Sequence, residues 1–174
     1  MSSAVLADPC RLHIRGVSSY NLRAEIQRMV ATAGLNMVTG DLTMKGELEE
    51  LVPDLKRLNS ITDIVPALIR NSAAFIQIIP LDILDGKRSK TEEGLLNWLL
   101  FEFGAAQALQ LPCAILVDVR QLESDIGRWK ELLRVGQDYQ LQPFDSSIGS
   151  RSLYGAIEIA LEQLAIRVPS QVRP

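Results

Sequence analysis

A chain of 174 residues with 47% apolar and 22% charged residues has the composition of a globular domain and is long enough to bury one sizeable core. The net charge of −3 and the pI near 5.2 exclude a broad basic surface, which argues against direct nucleic-acid binding. No apolar run approaches the roughly 20 residues of a membrane span, and the first nine residues lack the features of a secretory signal. The two cysteines lie in strand-like runs, where reduced thiols behave as small hydrophobes, so we expect a cytoplasmic protein.

The opening of the chain is predicted to form a βαβ unit. Residues 10–15 alternate apolar and polar side chains, which predicts a half-exposed first strand that ends at Gly16. The turn 16–19 carries hydroxyls that can cap a helix. The apolar stripe of that helix is Leu22, Ile26, Met29, Val30 and Ala33. Gly34 ends the helix, and residues 35–39 are typical of a second strand.

The next part of the chain has a weaker pattern. In residues 42–59, charged residues alternate with leucines and Pro53 interrupts the run, so we expect an irregular, partly helical excursion. Ser60 can cap a following helix, which Pro66 would bend or shorten. Residues 73–79 are continuously apolar, which predicts a parallel strand covered on both faces.

A helix with a single interior carboxylate follows a polar loop at 81–90. Ser89 with Glu92 three residues later is a capping-box pattern, so the helix should begin near Lys90. The helix is apolar nearly all round, which predicts that it is largely buried, yet it contains Glu102. Burying an acid is costly unless a partner or a cavity lies beside it. Glu102 is therefore a candidate functional residue; the alternative is an acid at the helix surface, or a buried acid paired with an arginine such as Arg15 or Arg70.

The remaining elements complete an alternating pattern. Residues 113–117 predict a buried strand, and 139–144 a weak edge strand because of Pro143. The short helix between them should bury Ile126, Trp129, Leu132 and Leu133. A final helix is expected from 150 to 166, so residues 1–167 form one domain and 168–174 a tail or linker.

Strands alternating with helices predict the α/β class, with a doubly wound, flavodoxin-like parallel sheet of about five strands and helices on both faces. Ligands of such sheets bind at the carboxyl ends of the strands. The expected binding loops are residues 16–19 and 80–85. Glu102 lies about three turns into its helix, so whether its carboxylate reaches that edge stays open.

The Glu102 helix and its flanking strands resemble the TIR and TIR-like domain family. The resemblance consists of Gly16 after the first strand, the strand 75–79, Trp98-x-x-x-Glu102-x-Gly104-x-Ala106, and the run 112–117. It implies a TIR-like fold in which Glu102 is the catalytic glutamate of an enzyme that cleaves the nicotinamide–ribose bond of NAD. A similar Glu-x-Gly-x-Ala setting occurs in nucleoside 2-deoxyribosyltransferases. The chain departs from the TIR pattern in its first strand and in the length of 42–59.

The resemblance also implies a biological setting. NAD or a related nucleotide would be the substrate, with no cofactor, and the protein would be a defence or signalling effector activated by self-association as a homo-oligomer. The leucines of 42–59 could meet a partner subunit. Two alternatives stay open: a deoxyribosyltransferase-like enzyme, and a non-catalytic TIR-like module that binds a nucleotide or another copy.

Five further residues are expected at or near the substrate, each with a simpler explanation beside it. Trp98 could stack on a base or fill the core. Ser18 and Ser19 could contact ribose or phosphate, or cap the first helix. Gly16 could approach substrate or only allow a tight turn, and Asp82 could bind ribose hydroxyls or be solvated. No cysteine or histidine cluster has zinc spacing, so no metal site is predicted.

Overall fold

A computed structural model of the chain describes residues 2–7, 19–39, 52, 60–81, 90–133 and 139–167. The strands in these ranges are Ser2–Ala7 (β1), Leu35–Thr39 (β2), Ala74–Ile79 (β3), Cys113–Asp118 (β4) and Tyr139–Phe144 (β5). The helices are Ser19–Thr32 (α1), Ile61–Arg70 (α2), Lys90–Ala108 (α3), Leu122–Leu132 (α4) and Ser150–Arg167 (α5), with a 3-10 turn at Ser146–Ile148.

The strands form one parallel sheet in the order β2-β1-β3-β4-β5. The prediction of an α/β protein with a parallel sheet is confirmed. Adjacent parallel strands need long crossover connections. The helices α1 to α4 lie in the four connections between successive strands, and α5 follows β5. The strand order is compatible with a flavodoxin-like fold, in which ligands bind at the carboxyl edge of the sheet.

Side chains of the two central strands β3 and β4 alternate between two apolar layers, one on each face of the sheet. Phe75 and Ile115 pack in the layer formed with α2, α3 and α4. Ile76 and Leu116 pack in the layer formed with α1 and α5. Every residue of β3 and β4 is buried, which explains why both strands are continuously apolar in sequence apart from Gln77 and Asp118.

The predicted helix limits agree closely with the structure because they rest on local signals. The helix α1 ends where expected, with Gly34 at φ +80°, a conformation that glycine adopts without steric cost. The helix α3 begins at Lys90, and α5 begins at Ser150. The expected inner face of α5 is buried at Leu153 and Leu164.

The predicted first strand is the clearest error. The strand that pairs with both β2 and β3 is Ser2–Ala7, not residues 10–15. The stretch 10–15 lies outside the described residues. Because β1 ends at Ala7, Gly16 does not directly follow the first strand of the sheet. Residues 8–18, which connect β1 to α1, lie outside the described residues, so the assignment of 16–19 as a ligand-binding loop stays a prediction.

Other predicted segments also lie outside the described residues. These are the excursion 42–59 apart from the buried Val52, the loop residues 82–89, and the tail 168–174. The limits of the domain therefore stay a prediction. In the described part of the chain, no helix is both long enough and apolar enough to cross a lipid bilayer.

Candidate functional site

Glu102 lies on the side of α3 that faces the protein interior. Only 6% of its surface is exposed. It follows Leu99 by three residues and precedes Ala106 by four, so these two buried side chains lie on the same helical face. The sequence prediction that the helix buries its one interior acid is confirmed for Glu102.

Two contacts show where Glu102 lies along the strand direction of the sheet. The side-chain amide of Gln77, in the middle of β3, donates a hydrogen bond to the carbonyl oxygen of Leu99 at 2.9 Å. One position beyond Glu102, the ring of Phe103 packs edge-on against Tyr139, the first residue of β5, with 5.1 Å between centroids. Glu102 therefore lies level with the amino-terminal half of the sheet, about 18 Å along the helix from its start at Lys90.

In this position Glu102 is distant from the carboxyl edge of the sheet, where ligands of parallel sheets usually bind. The helix α3 runs antiparallel to the strands, so each residue along it lies farther from the carboxyl edge. A substrate that reaches Glu102 must enter the layer between α3 and its neighbours rather than rest on the edge. The carboxylate is thus enclosed by protein, where electrostatic interactions are stronger than in water.

Trp98 lies one turn before Glu102 and is half-buried. Its ring contacts that of Phe101, with 5.4 Å between centroids and 34° between planes. Phe101 is 47% exposed, so the pair leaves apolar surface in contact with solvent. Trp98 packs against the core and is also accessible, which is consistent with both roles considered for it.

The other predicted substrate residues are not brought together with Glu102 by the described structure. Gly16, Ser18 and Asp82 lie outside the described residues, and Ser19 is described only as the first residue of α1. Their proposed contacts stay predictions.

The sequence pattern did not reveal a buried, hydrogen-bonded aspartate at the carboxyl end of β4. Asp118 is buried, and its two carboxylate oxygens accept hydrogen bonds from the backbone N–H of Ser146 at 2.9 Å and from its hydroxyl at 2.6 Å. The indole N–H of Trp129 donates to the carbonyl oxygen of Asp118 at 3.2 Å. Because both carboxylate oxygens hold the 3-10 turn, Asp118 has a structural explanation. The signal in the sequence that could have identified Asp118 was its position as an aspartate at the end of an apolar strand.

The turn after β5 is also stabilised by its own side chains. The Asp145 carboxylate accepts from the backbone N–H of Ser147 at 2.8 Å, and the Asp145 N–H donates to the hydroxyl of Ser152 at 2.8 Å. Among the described residues, no group of three histidine, cysteine, aspartate or glutamate side chains could hold a metal ion. The Asp145 carboxylate therefore caps the 3-10 turn Ser146–Ile148.

Asp125 secures the start of α4. Its carboxylate accepts hydrogen bonds from the backbone N–H groups of the N-cap residue Gln121 at 2.9 Å and of Arg120 at 3.0 Å. These two bonds, the one from Gln121 first, lower the pKa of Asp125 below its ordinary value of 3.8. The ionised form is therefore favoured in the folded protein.

We predict that Asp125→Ala lowers stability by about 1 kcal/mol at neutral pH, the usual cost of removing a cap. The folded-state pKa is depressed, so the stabilisation is present above 3.8 and is lost as the pH falls through the lower folded value. Urea unfolding of both proteins at pH 7 and at decreasing acid pH should show the difference shrinking. A difference that stays constant across the acid range would contradict the capping role.

A groove of about 420 Å³ lies between α1 and α5, on the other face of the sheet. Its walls include Arg28 and Met29 from α1 and Glu158 and Glu162 from α5. It is wide open to solvent and contains no part of α3. We therefore do not connect it with the chemistry expected of Glu102.

No model of a known protein family matches this sequence, and no curated protein matches it either. The resemblance of the α3 motif to TIR-like domains thus stands on the residues Trp98, Glu102, Gly104 and Ala106 and on their setting.

Proposed function

We propose that this protein is a TIR-like enzyme that cleaves the nicotinamide–ribose bond of NAD, with Glu102 as its catalytic carboxylate. The observation that carries the proposal is the burial of Glu102 on α3. Between Gly94 and Leu111 it is the only charged residue, and it is 6% exposed. Burying a carboxylate is costly unless it is paired, so a buried acid on an otherwise apolar stretch of helix is a candidate for function.

The other buried acids in the described chain hold backbone segments through hydrogen bonds, and Glu102 is not without a partner either. Asp118 holds the 3-10 turn through Ser146, and Asp125 caps α4. Neither of these two carboxylates lies on α3, so neither is a candidate for the catalytic role proposed for Glu102. Glu102 is both the buried acid of α3 and the acid of the motif Trp98-x-x-x-Glu102.

The reaction needs only one carboxylate. The bond between ribose C1′ and the pyridine nitrogen breaks, and nicotinamide leaves as a neutral base with the bonding electron pair. The positive charge that develops on the ribose is stabilised by the Glu102 carboxylate. A water molecule then adds to C1′ and loses a proton, which gives ADP-ribose; attack by a group of the same molecule would give a cyclic product instead.

A non-catalytic interaction module is the second candidate, and the outer face of α3 favours it. This face carries no charge from Gly94 to Leu111 and exposes Phe101 at 47% and Leu109 at 43%. Uncharged surface with aromatic side chains is typical of protein interfaces. Such a surface also suits an enzyme that is activated when subunits assemble.

One experiment separates the candidate activities. Pure protein is incubated with NAD, and separately with a deoxynucleoside plus a free base, while products are followed by liquid chromatography. We expect nicotinamide release from NAD and no exchange of bases. Base exchange without NAD consumption would support the deoxyribosyltransferase alternative, and inactivity in both assays across all concentrations would support the non-catalytic module.

We predict that specific activity rises with enzyme concentration, because self-association would close the site and bury the apolar face of α3. The measurement is NAD turnover from nanomolar to high micromolar enzyme, with light scattering in parallel. Phe101→Asp should flatten the rise, whereas Ile159→Asp, which changes a similarly exposed side chain on α5, should not. Constant specific activity from a monomer throughout the range would rule out activation by assembly.

A further inference from the structure

Gln77 is a polar residue in a place where stability favours an apolar one. It is fully buried in the middle of β3, among apolar strand residues on both sides. Its side-chain nitrogen donates to the carbonyl oxygen of Leu99, but its side-chain oxygen has no hydrogen-bond partner in the part of the chain that the structure describes. An acceptor buried without a partner is destabilising, and apolar side chains of similar shape avoid that cost.

The hydrogen bond that Gln77 does make connects the sheet to α3 close to Glu102. Leu99 is one helical turn before Glu102, so the bond lies on the turn that leads to the carboxylate. The apolar residues of α3 that pack in the core are Leu96, Leu99, Phe103 and Ala106. Apolar contacts have no preferred direction, whereas a hydrogen bond fixes one distance and one orientation.

We propose that Gln77 is a positioning residue. Its hydrogen bond to Leu99 fixes where α3 lies along the strand direction and how α3 is rotated about its own axis, and thereby sets the position of Glu102. A polar side chain inside an apolar contact can specify register at a cost in stability, as a buried asparagine does between coiled-coil helices. The catalytic part of this inference rests on the proposed function of Glu102. The positional part does not.

The test compares Gln77→Met with the wild-type protein. Methionine keeps the volume but removes both the donor and the acceptor without a partner. We expect an equal or higher melting temperature, a fall in kcat of about 10-fold to 100-fold with little change in KM, and amide hydrogen exchange at least about tenfold faster between Leu99 and Ala106. A role in stability alone would lower the melting temperature instead.

Two further variants make the result specific. In Gln77→Glu, a protonated carboxyl can donate to the Leu99 carbonyl and an ionised one cannot, so activity relative to wild type should recover as the pH is lowered. Gln142→Met is the matched control, because Gln142 lies on β5 and its amide contacts Gln163 of α5 at 3.2 Å. This control should leave exchange in α3 unchanged.

Failure of the inference and failure of the proposed function give different results. If wild type consumes NAD and Gln77→Met keeps full kcat, Gln77 does not position the catalytic residue. If wild type does not consume NAD, the proposed function fails, and hydrogen exchange alone decides. Unchanged exchange in α3 of Gln77→Met would then overturn the positioning role, and selectively faster exchange would support it.

Discussion

Glu102→Gln should reduce NAD turnover by roughly 10³-fold or more while leaving the fold intact. Glutamine has nearly the same volume as glutamate, so packing against Leu99 and Ala106 changes little. The substitution removes the negative charge that stabilises the developing ribosyl cation, and loss of one electrostatic contribution of this kind commonly costs two to three orders of magnitude or more. Nicotinamide release under saturating NAD, together with a circular dichroism spectrum, measures both parts of the prediction.

The matched control for Glu102 is Glu158→Gln. Glu158 is an exposed acid on α5, on the opposite face of the sheet, and its neutralisation should leave turnover within about twofold of wild type. Activity in a folded Glu102→Gln protein equal to that of the Glu158→Gln control would falsify the catalytic assignment. Loss of activity in both variants would point to a general effect of charge rather than to a site at α3.

Trp129→Ala should be the most destabilising single change considered for this protein. The indole is fully buried between α4 and the sheet, and its N–H donates to the Asp118 carbonyl at 3.2 Å. Removing a buried tryptophan costs about 3–5 kcal/mol, and the lost hydrogen bond leaves a buried carbonyl without this donor. For a domain of this size we expect the melting temperature to fall by about 10 °C or more.

Two variants divide this effect into its parts. Trp129→Phe keeps most of the buried volume and removes only the N–H donor, so it should cost about 1–2 kcal/mol. Trp98→Ala removes an indole that is only half-buried, so it should be less destabilising than Trp129→Ala and should weaken substrate binding if Trp98 lines the site. Equal melting temperatures for Trp129→Ala and wild type would show that α4 does not stabilise the β4–β5 half of the domain.

The sequence was a good guide wherever the deciding interactions are local. The start of α3 at Lys90 was predicted from the sequence pattern of Ser89 and Glu92, and the end of α1 from Gly34, because capping patterns span only about one turn. The strands β3 and β4 could be recognised because burial on both faces demands continuous apolar runs. Burial of Glu102 followed from the same reasoning, since the helix around it has almost no polar face.

The first strand was missed because its identity depends on its neighbours. Residues 10–15 have a clear alternation, whereas Ser2–Ala7 is a short run of small and aliphatic residues. What makes Ser2–Ala7 a strand is pairing with β2 on one side and β3 on the other. Such pairing joins residues about 30 and 70 positions apart, which no local pattern reveals.

By itself, the sequence determined the class of the fold, most element limits and the presence of one buried acid on α3, because these depend on periodicity and on contacts within a few residues. Tertiary structure alone decided that Glu102 lies level with the amino-terminal half of the sheet, since this depends on how α3 docks on β3 and β5. It also decided that the Asp118 carboxylate accepts a hydrogen bond from Ser146, 28 residues away, and that the Gln77 side chain donates one to the carbonyl oxygen of Leu99, 22 residues away. Hydrogen bonds are short-ranged and directional, so only the folded arrangement of distant segments can form them.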